Sequence, residues 1–407
     1  MDTRTVADRL AGGLGENGPV TIESCRRAFV GYRVGRRLRV VYRIRIDGRD
    51  HHVAASTFRS RKRSERAFRK ALERGHHSGP LGTALHDPEL NTVFWTFPND
   101  RRIENLAAVA DASPELTRNL TARWMKSRLV DYYPEVSAVV RCLDGGNRIV
   151  AYAKVHAGRE GERTHRAQRA FVRAARASSL QLARPLGYSR QHQTLVVEPI
   201  AGRAIGSLHG QTLIDGLHAY GAALATLHSL PLVDLPPAIR RPLDRLQRKA
   251  DGIRLVRPDI DTVGSQLIRD LSSRYEESAG APVLVHGDTN VNNAILRDGR
   301  VTFIDFDRAS VGSAGADVGN FLGLLRYFRL LGLLSPSAER TNADVFMRGY
   351  SSIRALPDSA TLRVHISAAL AERAFGAVNR LRARALPRVP ALLKEANSLL
   401  AMNGRAL

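Results

Sequence analysis

Acidic and amide side chains recur at close spacing between residues 283 and 317. His286 lies two residues before Asp288, and Asn293 lies five residues after Asp288. Asp305 and Asp307 follow a second apolar run. Phosphoryl transfer needs a carboxylate that positions the attacking hydroxyl and accepts its proton, and oxygen ligands for the Mg²⁺ that bridges the nucleotide phosphates. An aspartate on a loop, an asparagine five residues on and an aspartate beyond a hairpin can supply this set.

Short apolar runs and a tight turn must position these side chains. Residues 283–285 precede the first polar group, and residues 294–296 and 301–303 flank the turn Asp298-Gly299. An Asp-Gly pair between two apolar runs is a strong signal for a β-hairpin. We therefore expect a hairpin that holds polar groups at both of its mouths.

Each fragment alone is more typical of a turn or a helix cap than of a catalytic site. Together, the order HGDxxxxN followed by IDFD resembles the motif of the aminoglycoside phosphotransferases, choline kinases and related small-molecule kinases. This resemblance covers roughly residues 130–385. It implies an α+β, bilobal, protein kinase-like fold with a small β-rich lobe and a large, mainly helical lobe. It also implies ATP, with GTP as the alternative nucleotide, and Mg²⁺ as cofactors.

The resemblance assigns a role to each residue of the motif. Asp288 would be the catalytic base, and His286 would brace the catalytic loop. Asn293 and Asp305 would be Mg²⁺ ligands, Asp305 being the principal one. Asp307 has a counterpart in the choline kinase branch and is placed near a second metal ion.

Two further residues are placed by the same resemblance. Asp317 follows Asp305 by twelve residues and matches the buried aspartate that supports the catalytic loop from a helix start. His228 ends a predicted helix over residues 211–229 and is expected to be structural rather than catalytic.

The nucleotide is expected to contact residues upstream of the motif. Lys154 lies on a predicted strand, where the resemblance places the lysine that holds the α- and β-phosphates; a surface lysine at a strand edge is the alternative. Its glutamate partner is expected at Glu162, which with Glu160 precedes the predicted helix. Glu198 and Ile200 bound a segment that resembles the hinge, whose backbone would face the adenine.

A strand-turn-strand-helix pattern occurs twice along the chain. Residues 37–46, 51–58 and 62–74 form the first copy, and residues 136–143, 149–156 and 164–177 form the second. By-eye alignment of the copies places Ser56 opposite Lys154, so the first copy would be a degenerate small lobe. Chance similarity between two short patterns is the alternative.

The pattern predicts three regions. Residues 1–115 would be an accessory region, residues 116–200 the kinase-like small lobe and residues 201–407 the large helical lobe with the catalytic hairpin. A helical stretch near residues 103–127 is expected to link the copies. The role of the accessory region is open between a docking surface and a degenerate duplicate.

The formal charge of +23 arises almost entirely from arginine, because the chain has six lysines. The arginines are spread along the chain, so we do not favour a nucleic acid partner. The densest basic run, residues 59–63, is more typical of a solvated helix face than of a binding arm.

Two cysteines, Cys25 and Cys142, lie far apart without metal-ligand spacing, which fits a reducing compartment. The first residues contain no apolar signal region, and the longest apolar stretch is too short to span a bilayer. We expect a cytoplasmic protein without a membrane span. The sequence leaves its oligomeric state open.

The preferred function is an ATP- and Mg²⁺-dependent phosphotransferase acting on a hydroxyl of a small molecule, such as a sugar, amino alcohol, nucleoside or antibiotic. A nucleotide-binding pseudokinase is the alternative. Acidic residues are scattered in the large lobe, and the positive net charge opposes capture of a polycation. A neutral or anionic substrate is therefore ranked slightly above an aminoglycoside.

Overall fold

The computed structural model describes residues 2–15, 18–33, 37–75, 81–121, 123–236, 242–253, 256–275, 277–278 and 280–402. The chain divides into two compact units. The first is Met1–Glu162 with Leu186–Pro199, and the second is Arg163–Pro185 with Ile200–Leu407. The three regions predicted from the sequence are defined by role rather than by compactness, and that division stays a prediction.

The N-terminal part of the first unit is an antiparallel sheet with two helices. Its elements are α1 (Thr3–Gly13), β1 (Ser24–Arg33), β2 (Arg37–Ile46), β3 (Arg49–Thr57), α2 (Arg61–Arg74), β4 (Ala84–Asp87) and β5 (Thr92–Thr96). The strand order is β1-β2-β3-β5-β4. Asp47 and Gly48 both adopt positive φ values, 48° and 69°, and form the tight turn that the Asp-Gly pair predicted.

A second sheet follows along the chain. The elements are α3 (Leu106–Ala110), α4 (Pro114–Leu120), β6 (Lys126–Tyr133), β7 (Ser137–Leu143), β8 (Ile149–His156), α5 (Glu160–Ala174), β9 (Gln181–Leu182), β10 (Pro185–Ser189) and β11 (Thr194–Val197). The order is β10-β11-β8-β7-β6. In both sheets three meandering strands are followed by a helix and by two strands, the last of which pairs with the third.

The strand pairing makes Ser56 and Lys154 equivalent positions. Ser56 in β3 lies opposite Val93, the second residue of β5. Lys154 in β8 lies opposite Leu195, the second residue of β11. The register therefore agrees with the alignment of the two copies, whereas their origin by duplication stays a prediction.

The second unit is mainly helical. Its further elements are β12 (Arg203–Ala204), α6 (Gly210–His228), α7 (Pro242–Ile253), α8 (Asp261–Tyr275), β13 (Pro282–Val285), β14 (Ala294–Arg297), β15 (Arg300–Phe303), β16 (Ser310–Ser313), α9 (Ala314–Leu330), α10 (Pro336–Ser351), α11 (Ser359–Asn379) and α12 (Val389–Ala401). The short strands form two small sheets, β12-β14-β15-β9 and β13-β16.

An aromatic cluster packs the hairpin of β14 and β15 against the helices. The ring of Tyr220 in α6 lies 5.7 Å from Phe303 at the end of β15, 5.3 Å from Phe321 in α9 and 5.4 Å from Phe346 in α10, measured between centroids. All four side chains are buried. Each such pair adds about 0.5–1.5 kcal/mol beyond the burial of its area. The hairpin is thus fixed to three helices at one point.

The structure corrects several boundaries. The stretch expected to be helical over residues 103–127 contains two short helices and then the first residue pair of β6. Helix α5 begins at Glu160 rather than at residue 164, so Glu160 and Glu162 lie in its first turn instead of before it. The charged sequence of residues 236–278 also predicts helix; its described part contains α7 and α8, and the rest lies outside the described residues. Within the described ranges, no helix has the length and apolar character to cross a membrane.

Candidate active site

The predicted hairpin forms as β14 and β15, which pair antiparallel from Ala294 and Phe303 to the turn. Asp298 and Gly299 take φ values of 48° and 72° in that turn. At the other end, the N–H of Ile304 donates to the carbonyl oxygen of Asn293 over 3.0 Å. This bond holds the residue before Asp305 beside Asn293, so the structure brings these two predicted metal ligands together.

Asp317 supports the loop before the hairpin. One carboxylate oxygen accepts a 2.7 Å hydrogen bond from the N–H of His286, and the other accepts a 2.8 Å bond from the N–H of Gly287. The carbonyl oxygen of Asp317 also accepts a 2.7 Å bond from the hydroxyl of Thr289. One buried residue at the start of α9 therefore holds residues 286, 287 and 289, on both sides of Asp288.

The charge of Asp317 is balanced from α6. The Nε2 of His228 lies 3.2 Å from a carboxylate oxygen of Asp317, and its Nδ1 lies 2.8 Å from the Tyr350 hydroxyl. Burial opposes ionisation of Asp317, but the His228 hydrogen bond and the nearby charges outweigh it and lower the pKa of that carboxyl. Asp317 is thus an anion suited to accept backbone hydrogen bonds. Tyr350 was not singled out in the sequence.

His286 is buried within the loop. Its Nε2 donates to the carbonyl oxygen of Ile304 over 2.9 Å, and its Nδ1 accepts a 3.3 Å bond from the N–H of Asp288. Its ring lies 5.5 Å and 5.1 Å from the rings of Phe303 and Phe306. Both nitrogens are used by the backbone, so the geometry suits a bracing role and not proton transfer.

The backbone at Gly287 requires glycine. Its φ is 77°, a region that side-chain-bearing residues rarely occupy. A Cβ at this position would lie 2.4 Å from the carbonyl oxygen of Arg308. The next residue, Asp288, is half-buried, and its carbonyl oxygen accepts a 3.0 Å bond from the amide nitrogen of Asn293. This bond orients the Asn293 amide, so that its oxygen is left as a candidate ligand.

Asp305 follows β15 with a φ of 62°, a conformation that aspartate and asparagine tolerate better than other non-glycine residues. Its side chain is exposed. Oxygen ligands such as the Asp305 carboxylate and the Asn293 amide suit Mg²⁺, which keeps several waters and substrate oxygens in its coordination shell. The described residues contain no group of three or more His, Cys, Asp or Glu side chains that could hold a metal ion. The role of Asn293 and Asp305 as metal ligands stays a prediction.

Asp307 is tied to α5. The hydroxyl of Thr164 donates to a carboxylate oxygen of Asp307 over 3.1 Å. Arg163 donates to the carbonyl oxygens of Asp307 and Ala309 over 3.0 Å and 2.8 Å. Sequence reasoning did not identify Arg163 or Thr164, since one arginine among many carries no signal. The role of Asp307 near a second metal stays a prediction.

Basic side chains surround the one acidic group of α11 near the loop. Glu372 lies 2.8 Å from Lys249 and 3.6 Å from Arg308. Burial opposes ionisation of Glu372, but these two cations outweigh it, and the pKa of Glu372 lies well below its usual range. The charge of Asp288 also interacts with Arg308 and with Arg245. Arg308 also interacts with the charges of Asp305 and Asp307, so cations and carboxylates lie together around the Asp288 loop.

The upstream residues take the following places. Lys154 is half-buried in β8, which lies in the middle of its sheet, so the alternative of an edge lysine is wrong. Glu162 accepts two hydrogen bonds from Arg190, of 3.0 Å and 2.6 Å. Glu198 and Ile200 lie in irregular backbone that follows β11. The roles of these residues toward a nucleotide stay predictions.

Comparison with known proteins gives a family and a fold. The family described as "Phosphotransferase enzyme family" matches residues 136–356. No curated protein matches the chain.

Solved structures also match. A thermostable mutant of aminoglycoside phosphotransferase APH(4)-Ia, in a ternary complex with ADP and hygromycin B, is 13% identical with a TM-score of 0.52; the match covers 74% of this chain and all of that one. A second structure of APH(4)-Ia is 14% identical with a TM-score of 0.51, covering 73% and 99%. At this identity the likeness shows the kinase-like α+β fold.

Proposed function

The chain belongs to the phosphotransferase enzyme family, and on that premise we propose that it transfers the γ-phosphoryl group of ATP to a hydroxyl of a small molecule, with Asp288 as the base. The observation that carries this proposal is the loop around Asp288. Asp317 and His286 fix this loop by hydrogen bonds of 2.7–3.3 Å, which supports a base carried on a backbone that is ordered before any substrate binds.

In the proposed reaction the substrate hydroxyl attacks the γ-phosphorus, a new oxygen–phosphorus bond forms and the bond to the β-phosphate oxygen breaks. The proton of the hydroxyl passes to a carboxylate oxygen of Asp288, and ADP leaves. Asp288 also orients the hydroxyl in line with the bond that breaks. Little other covalent chemistry is required of the protein, because positioning and charge stabilisation dominate this type of transfer.

Mg²⁺ held by Asp305 and Asn293 would neutralise charge on the β- and γ-phosphates. The exposed carboxylate of Asp305 and the hydrogen-bonded amide of Asn293 support this assignment. Lys154 is proposed to contact the α- and β-phosphates, and the backbone of residues 198–200 the adenine. GTP is the alternative nucleotide.

Arg245, whose charge interacts with that of Asp288, supports a neutral or anionic alcohol over a polycation as the substrate. Glu372 is neutralised by Lys249 and Arg308, so it does not offer an acidic pocket. The Nε of Arg245 is buried without a hydrogen-bond partner in the part of the chain that the structure describes. A carboxylate or phosphate on the substrate would satisfy such a donor. We therefore rank an anionic hydroxyl compound first and an aminoglycoside below it.

The test is nucleotide-dependent phosphorylation of a panel of alcohols, detected by mass spectrometry of the products. The panel contains sugars, sugar acids, amino alcohols, nucleosides and aminoglycosides. For any acceptor that reacts, Asp288→Asn should lower kcat by a factor of about 10²–10⁴, the usual contribution of a general base. Asp298→Asn, the same change in an exposed turn, is the matched control and should leave kcat within about twofold.

Two outcomes would contradict the proposal. Equal kcat values for Asp288→Asn and wild type would show that Asp288 is not the base. Absence of product with every acceptor, despite binding of the nucleotide, would favour the nucleotide-binding pseudokinase.

A further inference from the structure

A cavity of about 780 Å³ lies in the first unit, lined by residues of α2, of β5 and of the segment that follows β5. Small-molecule sites typically have volumes of roughly 300–1,000 Å³. The proposed phosphotransfer uses none of the residues that line it. The cavity also includes part of the basic run at residues 59–63 that the proposed function leaves unexplained.

The lining of this cavity is strongly basic. Two acidic residues contribute, Asp100 and Glu104. Six cationic side chains line it, namely Arg37, Arg59, Arg63, Arg66, Lys70 and Arg101. Six positive charges against two negative ones leave a net charge of four. A cavity with this charge attracts anions.

Both acidic residues are already engaged. The carboxylate of Asp100 accepts hydrogen bonds from the N–H groups of Arg102 and Ile103, at 2.7 Å and 2.9 Å. It also accepts bonds from the Tyr132 hydroxyl and the N–H of Glu135, at 2.7 Å and 2.8 Å. Glu104 likewise has an interaction of its own. Asp100 is thus held by neutral donors, and its single charge is already included in the net charge of four.

The cations fall into two groups. Arg37 and Arg101 form ion pairs with the buried Glu135. The other four have no ion pair or side-chain hydrogen bond with any residue that the structure describes. Arg63, Arg66 and Lys70 are spaced by three and four residues and share one face of α2, and Arg59 lies two residues before that helix. That face lines the cavity.

We propose that this cavity binds a small organic molecule that carries two or more phosphate groups. Guanidinium groups bind phosphate through paired hydrogen bonds. Along a helix, Arg63 and Lys70 are separated by roughly 10 Å, at about 1.5 Å per residue, which two or three linked phosphates can span. Phe58 and Trp95 supply an apolar wall for the body of the ligand. The guanidinium of Arg101 lies 5.9 Å from the centre of the Phe58 ring.

The shape of the site favours a small ligand over a nucleic acid. The unpaired cations converge on one cavity, whereas the backbone of a duplex is contacted by basic groups spread along an extended surface. A single phosphate or sulfate, with about two negative charges, would also leave about half of the excess charge unmatched. A multiply phosphorylated metabolite meets both conditions.

The experiment is isothermal titration of the full chain with inorganic tripolyphosphate in EDTA, which removes metal-dependent binding at the Asp305 site. Wild type and Asp305→Asn should bind one tripolyphosphate with the same affinity. Arg66→Glu should weaken binding by at least about tenfold, and Lys70→Ala by a smaller factor. Arg69→Glu is the matched control on α2, because it makes the same charge change outside the cavity lining and should alter affinity less than about twofold.

Each other result would overturn the proposal. No binding to wild type would show that the cavity is not an anion site. Equal weakening by Arg66→Glu and Arg69→Glu would indicate attraction by net charge alone. Loss of binding in Asp305→Asn would place the anion at the phosphotransfer site. Displacement of tripolyphosphate by a short DNA duplex at lower concentration, sensitive to Arg66→Glu, would identify a nucleic acid surface instead.

Discussion

At the scale of single residues, Asp317 determines the geometry of the candidate active site. It lies one turn into α9 and accepts hydrogen bonds from two successive backbone N–H groups and from His228. A carboxylate offers acceptors on both oxygens, whereas an amide offers one acceptor and one donor. The position therefore requires aspartate, because both of its carboxylate oxygens must accept hydrogen bonds from the folded chain.

We predict that Asp317→Asn lowers the free energy of unfolding by about 2–4 kcal/mol, because one buried N–H group loses its acceptor and His228 loses its charged partner. Urea denaturation measures this change. Glu339 is not a suitable comparison, since it holds two arginines. Asp298→Asn is a suitable comparison because Asp298 is exposed, and it should change the free energy of unfolding by less than about 0.5 kcal/mol. Equal stability of Asp317→Asn and wild type would contradict this role.

Wild type and Asp317→Asn should also differ in how their free energies of unfolding depend on pH. The folded-state pKa of Asp317 lies below its ordinary value of 3.8. Folding therefore favours the ionised form of Asp317. Its contribution to the stability of the folded state is fully present above pH 3.8 and is lost as the pH falls through the folded-state pKa. The stability difference between wild type and Asp317→Asn should be constant near neutral pH and shrink below about pH 4. A difference that grows on acidification would refute the assignment.

At the scale of elements, the catalytic loop depends on the approach of two backbone segments. Gly287 adopts a φ of 77°, and a Cβ there would lie 2.4 Å from the Arg308 carbonyl oxygen. Gly299 in the hairpin turn has a similar φ of 72° but open space around it. Alanine at Gly299 would therefore cost only the free energy of a positive φ angle. Alanine at Gly287 would add the free energy of the steric clash with the Arg308 carbonyl oxygen.

We predict that Gly299→Ala costs about 1 kcal/mol of stability, the usual cost of a left-handed alanine. Gly287→Ala should cost more and should also lower kcat, since the loop must move away from Arg308. Thermal denaturation and turnover of the two variants measure this contrast. Equal losses of stability, with normal kcat in both, would show that the close approach is unimportant.

The elements were predictable where the sequence alternates without interruption. The pattern of residues 37–46 predicted β2, and Asp298-Gly299 predicted the catalytic hairpin. Strands β1 and β6 were missed because each contains a bulge, between Arg27 and Phe29 and between Leu129 and Asp131, which shifts the alternation by one residue. A bulged strand therefore shows neither the strict alternation typical of a strand nor the 3.6-residue period typical of a helix. The first two residues of β6 fell within the stretch that was predicted to be helical.

The site was predictable from the motif at the level of residue types, but not of contacts. Spacing brings Asp288, Asn293 and Asp305 into one loop and one hairpin. The hydrogen bonds from Tyr350 to His228 and from Thr164 to Asp307 join residues more than a hundred positions apart. Chain separation of that size leaves no local pattern to read. The early start of α5 did have a signal, since Glu160 and Glu162 suit the first turn of a helix.

At the scale of the whole molecule, the chain has two compact units, each with a buried core of its own. Glu135 lies in the first unit, where its buried carboxylate contacts Arg37, Arg101 and the hydroxyl of Ser56. Burial opposes its ionisation, but the arginines lower the pKa of Glu135. In the second unit, Asp317 is likewise a buried carboxylate whose pKa is lowered by its hydrogen-bond partners and nearby charges.

We predict two unfolding transitions in scanning calorimetry, because each unit has a buried core of its own. Glu135→Gln should lower one midpoint, and Asp317→Asn the other, since each removes a charged acceptor from one unit. Glu89→Gln is the control for the first unit, because Glu89 is exposed. A single transition that both variants shift equally would show that the chain unfolds as one unit.

The most direct test of the central claim, a Mg²⁺-dependent nucleotide site beside a catalytic aspartate, is calorimetric titration of ATP and GTP with and without Mg²⁺. Wild type and Asp288→Asn should both bind nucleotide in the presence of Mg²⁺, whereas Asp305→Asn should lose the Mg²⁺-dependent part. The substitution keeps a residue that tolerates the φ of 62° at this position, and Asp298→Asn, with a φ of 48°, is its control. A Mg²⁺-dependent component of binding that is absent from wild type, or that is retained in Asp305→Asn, would contradict the account.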